Sequence, residues 1–85
     1  MEIKLVINGT NGSFRAYENN VEAGFISFTL PSISTIILEH TEVFPEFSGK
    51  GIAKKLVLSA LDYAKENNLT VEAVCEYAQK VIASL

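Results

Sequence analysis

A single cysteine, no excess of basic residues and no long apolar run mark this chain, and each shortage closes off a class of protein. One cysteine excludes an internal disulfide framework and fits a reducing compartment. Ten acidic side chains outnumber seven basic ones, for a net charge of −3. A basic surface for general nucleic-acid binding is therefore not expected. No apolar stretch approaches the roughly 20 residues that span a bilayer. The start, Met1-Glu2-Ile3-Lys4, lacks the basic segment followed by an apolar one that opens a signal peptide. Internal repeats and low-complexity segments are absent as well. These exclusions lead to an expectation of a cytoplasmic protein with no membrane or nucleic-acid partner.

What the chain does have is 48% hydrophobic residues in a length of 85. That suffices for one small domain over residues 1–85, with a marginal core. Little surface is left for a separate substrate-binding module. Residues 2–8 alternate, with Ile3, Leu5 and Ile7 on one face, and predict a strand. The cluster Asn8-Gly9-Thr10-Asn11-Gly12 predicts a turn. Residues 13–18 predict a second strand, with Phe14 and Ala16 opposed to Arg15 and Tyr17. Asn19-Asn20 turns the chain again. Residues 21–30 form a third strand, with Gly24 a candidate bulge, and Pro31-Ser32 breaks it. Residues 33–43 form a fourth, rich in β-branched side chains. Tight turns in succession imply an antiparallel meander.

The period then changes. Ile52, Ala53, Leu56, Val57, Ala60, Leu61 and Ala64 recur at helical spacing, and Asn67-Asn68 ends the helix. Residues 70–75 alternate as a fifth strand. A helix between two strands is a crossover, so strands four and five are expected to be parallel, with a right-handed connection. Residues 76–84 close the chain as a helix, with Tyr77 and Val81, and with them Ala78 and Ile82, expected to face inward. The expected order is ββββ-α-β-α, an α+β domain.

Between the fourth strand and the long helix lies Ser48-Gly49-Lys50-Gly51-Ile52-Ala53. A glycine-rich entry to a helix aims several backbone N–H groups at one point, with the positive end of the helix dipole behind them. Lys50, Lys54 and Lys55 add positive charge within about a turn and a half at 1.5 Å per residue. A phosphate or pyrophosphate suits such a place. An ordinary helix entry after a Pro-containing turn accounts for the same pattern.

This order of elements, with the Gly-x-Gly/Ala turn where it stands, resembles the acetyl-CoA-binding core of the GCN5-related N-acetyltransferase superfamily. That signature is Arg/Gln-x-x-Gly-x-Gly/Ala; Gly51 and Ala53 fit, whereas Ser48 stands where Arg or Gln is usual. His40-Thr41-Glu42-Val43, Gly49-x-Gly51-Ile52-Ala53-x-x-Leu56-Val57, Leu61-Asp62-Tyr63-Ala64 and Cys75-x-Tyr77 together look like the small stand-alone YjdJ-type proteins of that kind. The likeness covers nearly the whole chain. Such proteins lack the two N-terminal helices that shape the acceptor site in longer relatives.

The resemblance implies a minimal fold whose mixed sheet splays between strands four and five to admit acetyl-CoA, and it implies no metal. Main-chain groups around Ser48, Gly49, Lys50, Gly51, Ile52, Ala53 and Lys54 would hold the pyrophosphate. Gly51 would let phosphate approach closely. Val43 and Phe44 would pair with the pantetheine arm through their main chain. His40 can take a proton from an amine, since imidazole titrates near neutral pH, and Glu42 or Glu39 can do the same; His40 can equally be a structural residue at a strand end. Cys75 would be a transient acyl acceptor, an active-site wall, or a buried small hydrophobe. Glu72 and Glu76 would oppose a thiolate there, and the N-terminus of the last helix would favour one. Tyr77 would protonate the departing CoA thiolate, or serve as a core aromatic. The implied activity is N-acetyl transfer from acetyl-CoA to a small amine or a lysine side chain, by a monomer or weak homodimer. The alternative is a CoA or acyl-CoA binder with little or no transferase activity.

Overall fold

The computed structural model describes residues 1–85. The elements are β1 (Glu2–Asn8), β2 (Asn11–Glu18), β3 (Val21–Ser32), β4 (Thr35–Val43), a single 3-10 turn at Pro45–Phe47, α1 (Ile52–Glu66), β5 (Thr70–Ala73) and α2 (Glu76–Ala83). The five strands form one sheet in the order β1-β2-β3-β4-β5. The first four are antiparallel neighbours, and β5 runs parallel to β4 after the α1 crossover. The α+β order expected from the sequence is the one observed.

Local chemistry explains the turns. Gly9 takes a φ of 65° in the β1–β2 turn, and Asn19 and Asn20 take 49° and 67° in the next. Two successive positive φ values are the signature of the two-residue turn that matches strand twist, and asparagine tolerates them. Asn67 closes α1 through its side-chain amide, which donates to the Tyr63 carbonyl at 2.9 Å.

The core lies between the sheet and both helices. Phe14, Ala16, Ile26, Phe28, Ile36 and Leu38 point from the strands to meet Ile52, Leu56, Val57, Ala60 and Ala64 of α1, with Ala78 and Val81 of α2 closing the end. Burying the larger of these side chains, the phenylalanines, isoleucines, leucines and valines, contributes about 1.5–3 kcal/mol each, which is the main stabilisation available to so short a chain. Both helices pack into this one core, so the opposite sheet face, with Phe25, His40 and Glu42, carries no helix.

Several expectations need correction. Pro31-Ser32 does not end β3, which continues through both residues to pair Ser32 with Thr35. Pairing with β2 stops at Thr29, and the β3–β4 register is irregular between Thr29 and Ser32. Pro31 therefore sits where no regular ladder donor is required. The bulge in β3 falls at Ala23, beside Gly24. Gly24 serves close strand packing instead, since a Cβ there would collide with the Glu42 carbonyl oxygen and lie 3.0 Å from the Val43 Cα. On β1, Ile3 packs against the core, but Leu5 and Ile7 stay exposed, because α1 lies over β2, β3 and β4. On α2, Ala78 and Val81 are buried as expected, whereas Tyr77 and Ile82 are exposed.

Candidate functional site

The strongest irregularity of the sheet is at Leu38. Up to this residue β4 is flanked by β3 and β5, with Leu38 paired to Ala73. Then β5 ends. Val74 and Cys75 both turn their N–H groups onto the same Leu38 carbonyl, at 2.9 and 3.1 Å. In β4 the next residue, Glu39, is a bulge: Phe28 faces Leu38 and Ser27 faces His40. From Thr41 to Val43 the strand therefore has no neighbour on its β5 side. Bulges of this kind re-aim a strand beside a site.

N–H and C=O groups alternate direction along an extended strand, and this assigns the free edge. The Phe44 N–H is bonded to the Ala23 carbonyl at 2.9 Å, on the β3 side. Thr41 and Val43 therefore turn their main-chain groups toward the opening. Phe44 was expected to offer its main chain too, but its N–H is engaged, and its ring stands 6.4 Å from that of Phe25.

Cys75 stands across the opening at the N-cap of α2. Its Sγ lies 3.4 Å from the Thr41 hydroxyl. Partial burial pushes the thiol pKa up, yet the Thr41 hydroxyl and the backbone N–H groups of Ala78, Tyr77 and Thr41 pull harder, and the pKa falls below the ordinary thiol value. The helix N-terminus works in the same direction. The expected opposition of Glu72 and Glu76 does not prevail. Thr41, absent from the sequence-derived candidates, is the residue that joins β4 to the cysteine. The available signal was its alternation with Val43 on the same side of the strand.

Beyond β4 the chain makes the Pro45–Phe47 turn and enters α1. Ser48 donates its hydroxyl to the Pro45 carbonyl at 2.9 Å, so it closes that turn. Gly49 and Gly51 have φ values of 80° and 75°. Such values strain any residue with a Cβ. Gly51 is the N-cap of α1 and supplies no side-chain acceptor, and the first turn contains no acidic residue. The α1 hydrogen-bond ladder starts with Lys55 N–H on the Gly51 carbonyl at 3.2 Å. The earlier amides of Ile52, Ala53 and Lys54 have no helical partner, and the helix dipole points at the same place. Lys50 holds its ammonium 5.7 Å from the Phe47 ring centroid.

A groove of about 310 Å³ runs from the end of β4 to the α1 entry, lined by Val43, Phe47, Ser48, Gly49, Gly51, Ile52, Ala53 and Tyr77; Thr41, Phe44 and Cys75 do not line it. Seven of the expected residues thus meet there, with Phe47 added. Lys50 and Lys54 flank it in sequence without lining it. His40 is not part of it. It lies exposed on the helix-free face, with Nε2 3.3 Å from a Glu42 carboxylate oxygen.

A family profile described as GCN5-related N-acetyl-transferase matches residues 13–84. Protein NATD1 of Xenopus tropicalis is 44% identical over 48 residues, 56% of this chain and 44% of that protein. Protein NATD1 of Homo sapiens is 44% identical over 45 residues, 53% of this chain and 40% of that protein. The matched stretch thus spans less than half the length of these relatives. Among solved structures, a ribosomal-protein-alanine N-acetyltransferase from Brucella melitensis biovar Abortus 2308 superposes with a TM-score of 0.74 at 23% identity, covering 91% of this chain and 64% of that one. A PaiA N-acetyltransferase from Thermoplasma acidophilum, solved with coenzyme A, gives 0.60 at 24% identity over 67% of this chain and 35% of that one. At these identities the likeness establishes the fold. No helix of the chain is long and apolar enough to cross a membrane. With the profile match running from β2 to α2, this chain belongs to the GCN5-related N-acetyl-transferase family.

Proposed function

We propose that residues 1–85 form one acetyl-CoA-binding domain that transfers the acetyl group to an amine, either a small amine or a lysine side chain. The observation that carries this reading is the opening beyond Leu38. One end holds the unpartnered amides of α1, the other the Cys75–Thr41 pair, and the Val43 main chain and the Thr41 carbonyl lie between. A long ligand with a phosphate end and a thioester end suits that arrangement. The related Thermoplasma enzyme was solved with coenzyme A.

Each part of the chain has a role in this reading. The amides around Gly49, Gly51, Ile52, Ala53 and Lys54 hold the pyrophosphate, helped by the charges of Lys50 and Lys54. Gly51 keeps that approach clear, since a Cβ on it would point into open space. The Thr41 carbonyl and the Val43 main chain steady the extended arm, and the Val43 N–H polarises the thioester carbonyl as negative charge develops on its oxygen. The amine nitrogen attacks that carbon, the C–S bond breaks, and the thiolate takes a proton from the Tyr77 hydroxyl. His40, oriented by Glu42, accepts the proton that the amine loses.

Cys75 gives the route a variant. Its thiolate attacks the same carbonyl first, releases CoA, and passes the acetyl group to the amine in a second step. The lowered thiol pKa favours this two-step path. A second reading, a CoA binder with little transferase activity, is favoured by the helix-free face beside His40, where no element forms a wall for an acceptor.

Labelled acetyl-CoA separates these readings. Label that stays on the wild type and is lost from Cys75→Ala supports the acyl-cysteine. Transfer to an added amine that survives the substitution supports direct attack. Tight binding without transfer to any of a panel of amines supports the binding module.

A further inference from the structure

No helix walls the sheet face that carries His40, but the strand side chains themselves shape it. Register sets them in rows. Ser13 pairs with Ser27, and Ser27 with His40, so these three stand side by side across β2, β3 and β4. Two residues along each strand, Arg15 pairs with Phe25 and Phe25 with Glu42. Two residues the other way, Asn11 pairs with Thr29, whose hydroxyl donates to the Glu39 carboxylate at 3.2 Å. Residues two apart on a strand share a face, so all of these side chains stand on the same one. The serines are the smallest among them. Their row is a trough between two taller rows.

The two ends of the trough differ in character. At the β4 end stand His40, Glu39 and Glu42, and no lysine or arginine pairs with either carboxylate. At the β2 end the trough opens into a cup of about 200 Å³, whose polar lining is Asn8, Asn11, Ser13, Arg15 and Ser27. Each of these five side chains can donate a hydrogen bond. Arg15 is fixed from three sides. Its Nη1 donates to Glu22 Oε1 at 3.0 Å, its Nε donates to Ser13 Oγ at 3.1 Å, and the guanidinium lies 4.9 Å from the Phe25 ring centroid. Nη2 shares with Nε the edge of the fork that faces Ser13, and it remains for a ligand. Glu22 offsets the charge of Arg15, so an anion in the cup is received chiefly by hydrogen bonds. From Ser13 to His40 is two strand spacings, about 10 Å at roughly 4.8 Å each.

We propose that this trough is the acceptor subsite and that the acceptor is an ω-amino carboxylate, a primary amine with a carboxylate about six bonds away. The amine end lies among Glu39, His40 and Glu42, where His40 accepts the proton it loses. The carboxylate sits in the cup, on Arg15 Nη2 and the asparagine and serine donors. Six bonds of about 1.5 Å in an extended chain reach about 7–8 Å. A hydrogen bond of about 2.9 Å at either end covers the remaining distance. A shorter amino acid cannot reach both ends. An alkylamine leaves the cup donors unpaired, and a diamine sets a second ammonium beside Arg15. The acceptor role rests on the acetyl-transfer reading; the binding of the ligand does not.

Amide chemical shifts of the isotope-labelled chain, titrated with 6-aminohexanoate, hexylamine and 1,6-diaminohexane, test the binding directly. The expected result is saturable shifts at Ser13, Arg15 and Ser27 with 6-aminohexanoate, and binding at least about 10-fold weaker for the other two. Arg15→Lys keeps the charge but loses the fork, and weakens 6-aminohexanoate by about 10-fold. Asn11→Asp is isosteric and sets a carboxylate in the cup, so it reverses the order in favour of the diamine. Circular dichroism confirms that both variants are folded. With acetyl-CoA present, kcat/KM for 6-aminohexanoate exceeds that for hexylamine and for 3-aminopropanoate by at least about 10-fold. No saturable shift at the three residues, equal binding of hexylamine, or an order unchanged by Asn11→Asp would each overturn the proposal, whether or not acetyl-CoA binds. Acetyl-CoA binding with 6-aminohexanoate acetylated no faster than hexylamine would overturn the acceptor role. Failure to bind acetyl-CoA in calorimetry would overturn the acetyl-transfer reading and the acceptor role with it, and the shifts would then decide the ligand site alone.

Discussion

Replacing Thr41 with valine isolates the contact that most directly connects β4 to chemistry. The two side chains have nearly the same shape, so the half-buried site keeps its packing and loses one hydroxyl, 3.4 Å from the Cys75 sulfur. A hydrogen bond to a charged group is worth about 1.5–3 kcal/mol. Here the sulfur is partly solvated and the contact long, so about 0.7–1.4 kcal/mol is the better figure. That lowers the thiolate fraction at pH 7 by about 3- to 10-fold. A more basic thiolate is also a better nucleophile, with a Brønsted slope of about 0.4–0.5, which returns roughly half of the loss on a logarithmic scale. The expected profile crosses. With an aromatic disulfide reagent, Thr41→Val reacts about 2- to 3-fold more slowly than wild type at pH 7 and about 2- to 3-fold faster near pH 10. Equal rates at both pH values would show that Thr41 does not tune the thiol. A variant slower by the same factor throughout would show altered access instead of altered ionisation.

Three further outcomes follow from the same geometry. The Cys75 pKa is lower in the folded chain than in the unfolded one, so its ionisation stabilises the fold at high pH, and that contribution is lost as pH falls through the folded value. Urea titrations of wild type and Cys75→Ser should therefore diverge as pH rises toward about 8.5, in favour of wild type, and a constant difference would contradict the lowered pKa. Gly51→Val should cost about 1–2 kcal/mol of folding through its positive φ alone, since its Cβ meets no neighbour, and should weaken CoA binding by a clearly larger amount, at least 10-fold beyond any unfolding; equal losses in calorimetry and urea melts would make the glycine merely structural. Gly24→Ala should destabilise by about 1–3 kcal/mol, because its Cβ meets the backbone of β4 and strands yield less readily than side chains, and a loss under about 0.5 kcal/mol would refute that account.

The strand order and the crossover were legible because period and turn chemistry agree there. Asn19-Asn20 can adopt two positive φ values, and the helical spacing from Ile52 to Ala64 reappears as the buried stripe of α1, with Ala53 and Leu61 half-buried at its margin. Features set by neighbouring strands were not legible. Pro31 stays in β3 because β2 has already ended beside it, a fact of register that the segment itself does not display. The bulge at Glu39 has no glycine to announce it, yet it fixes which main-chain groups face the opening. Tyr77 was expected inward, but in a short helix only the packing of Ala78 and Val81 decides which face turns to the core. Phe44 was expected to offer its main chain, but its N–H turns to Ala23, which the segment itself does not display. The Gly49–Gly51 turn read correctly as a backbone feature because positive φ is what glycine is for.

Isothermal titration of the chain with CoA and with acetyl-CoA tests the central claim most directly. The account predicts saturable one-to-one binding of both, with a dissociation constant below about 100 µM, as expected for a charged ligand on unpartnered amides. It also predicts that Gly51→Val weakens both alike, because the phosphate end is common to the two. Absence of any heat from either ligand at about 1 mM would contradict it.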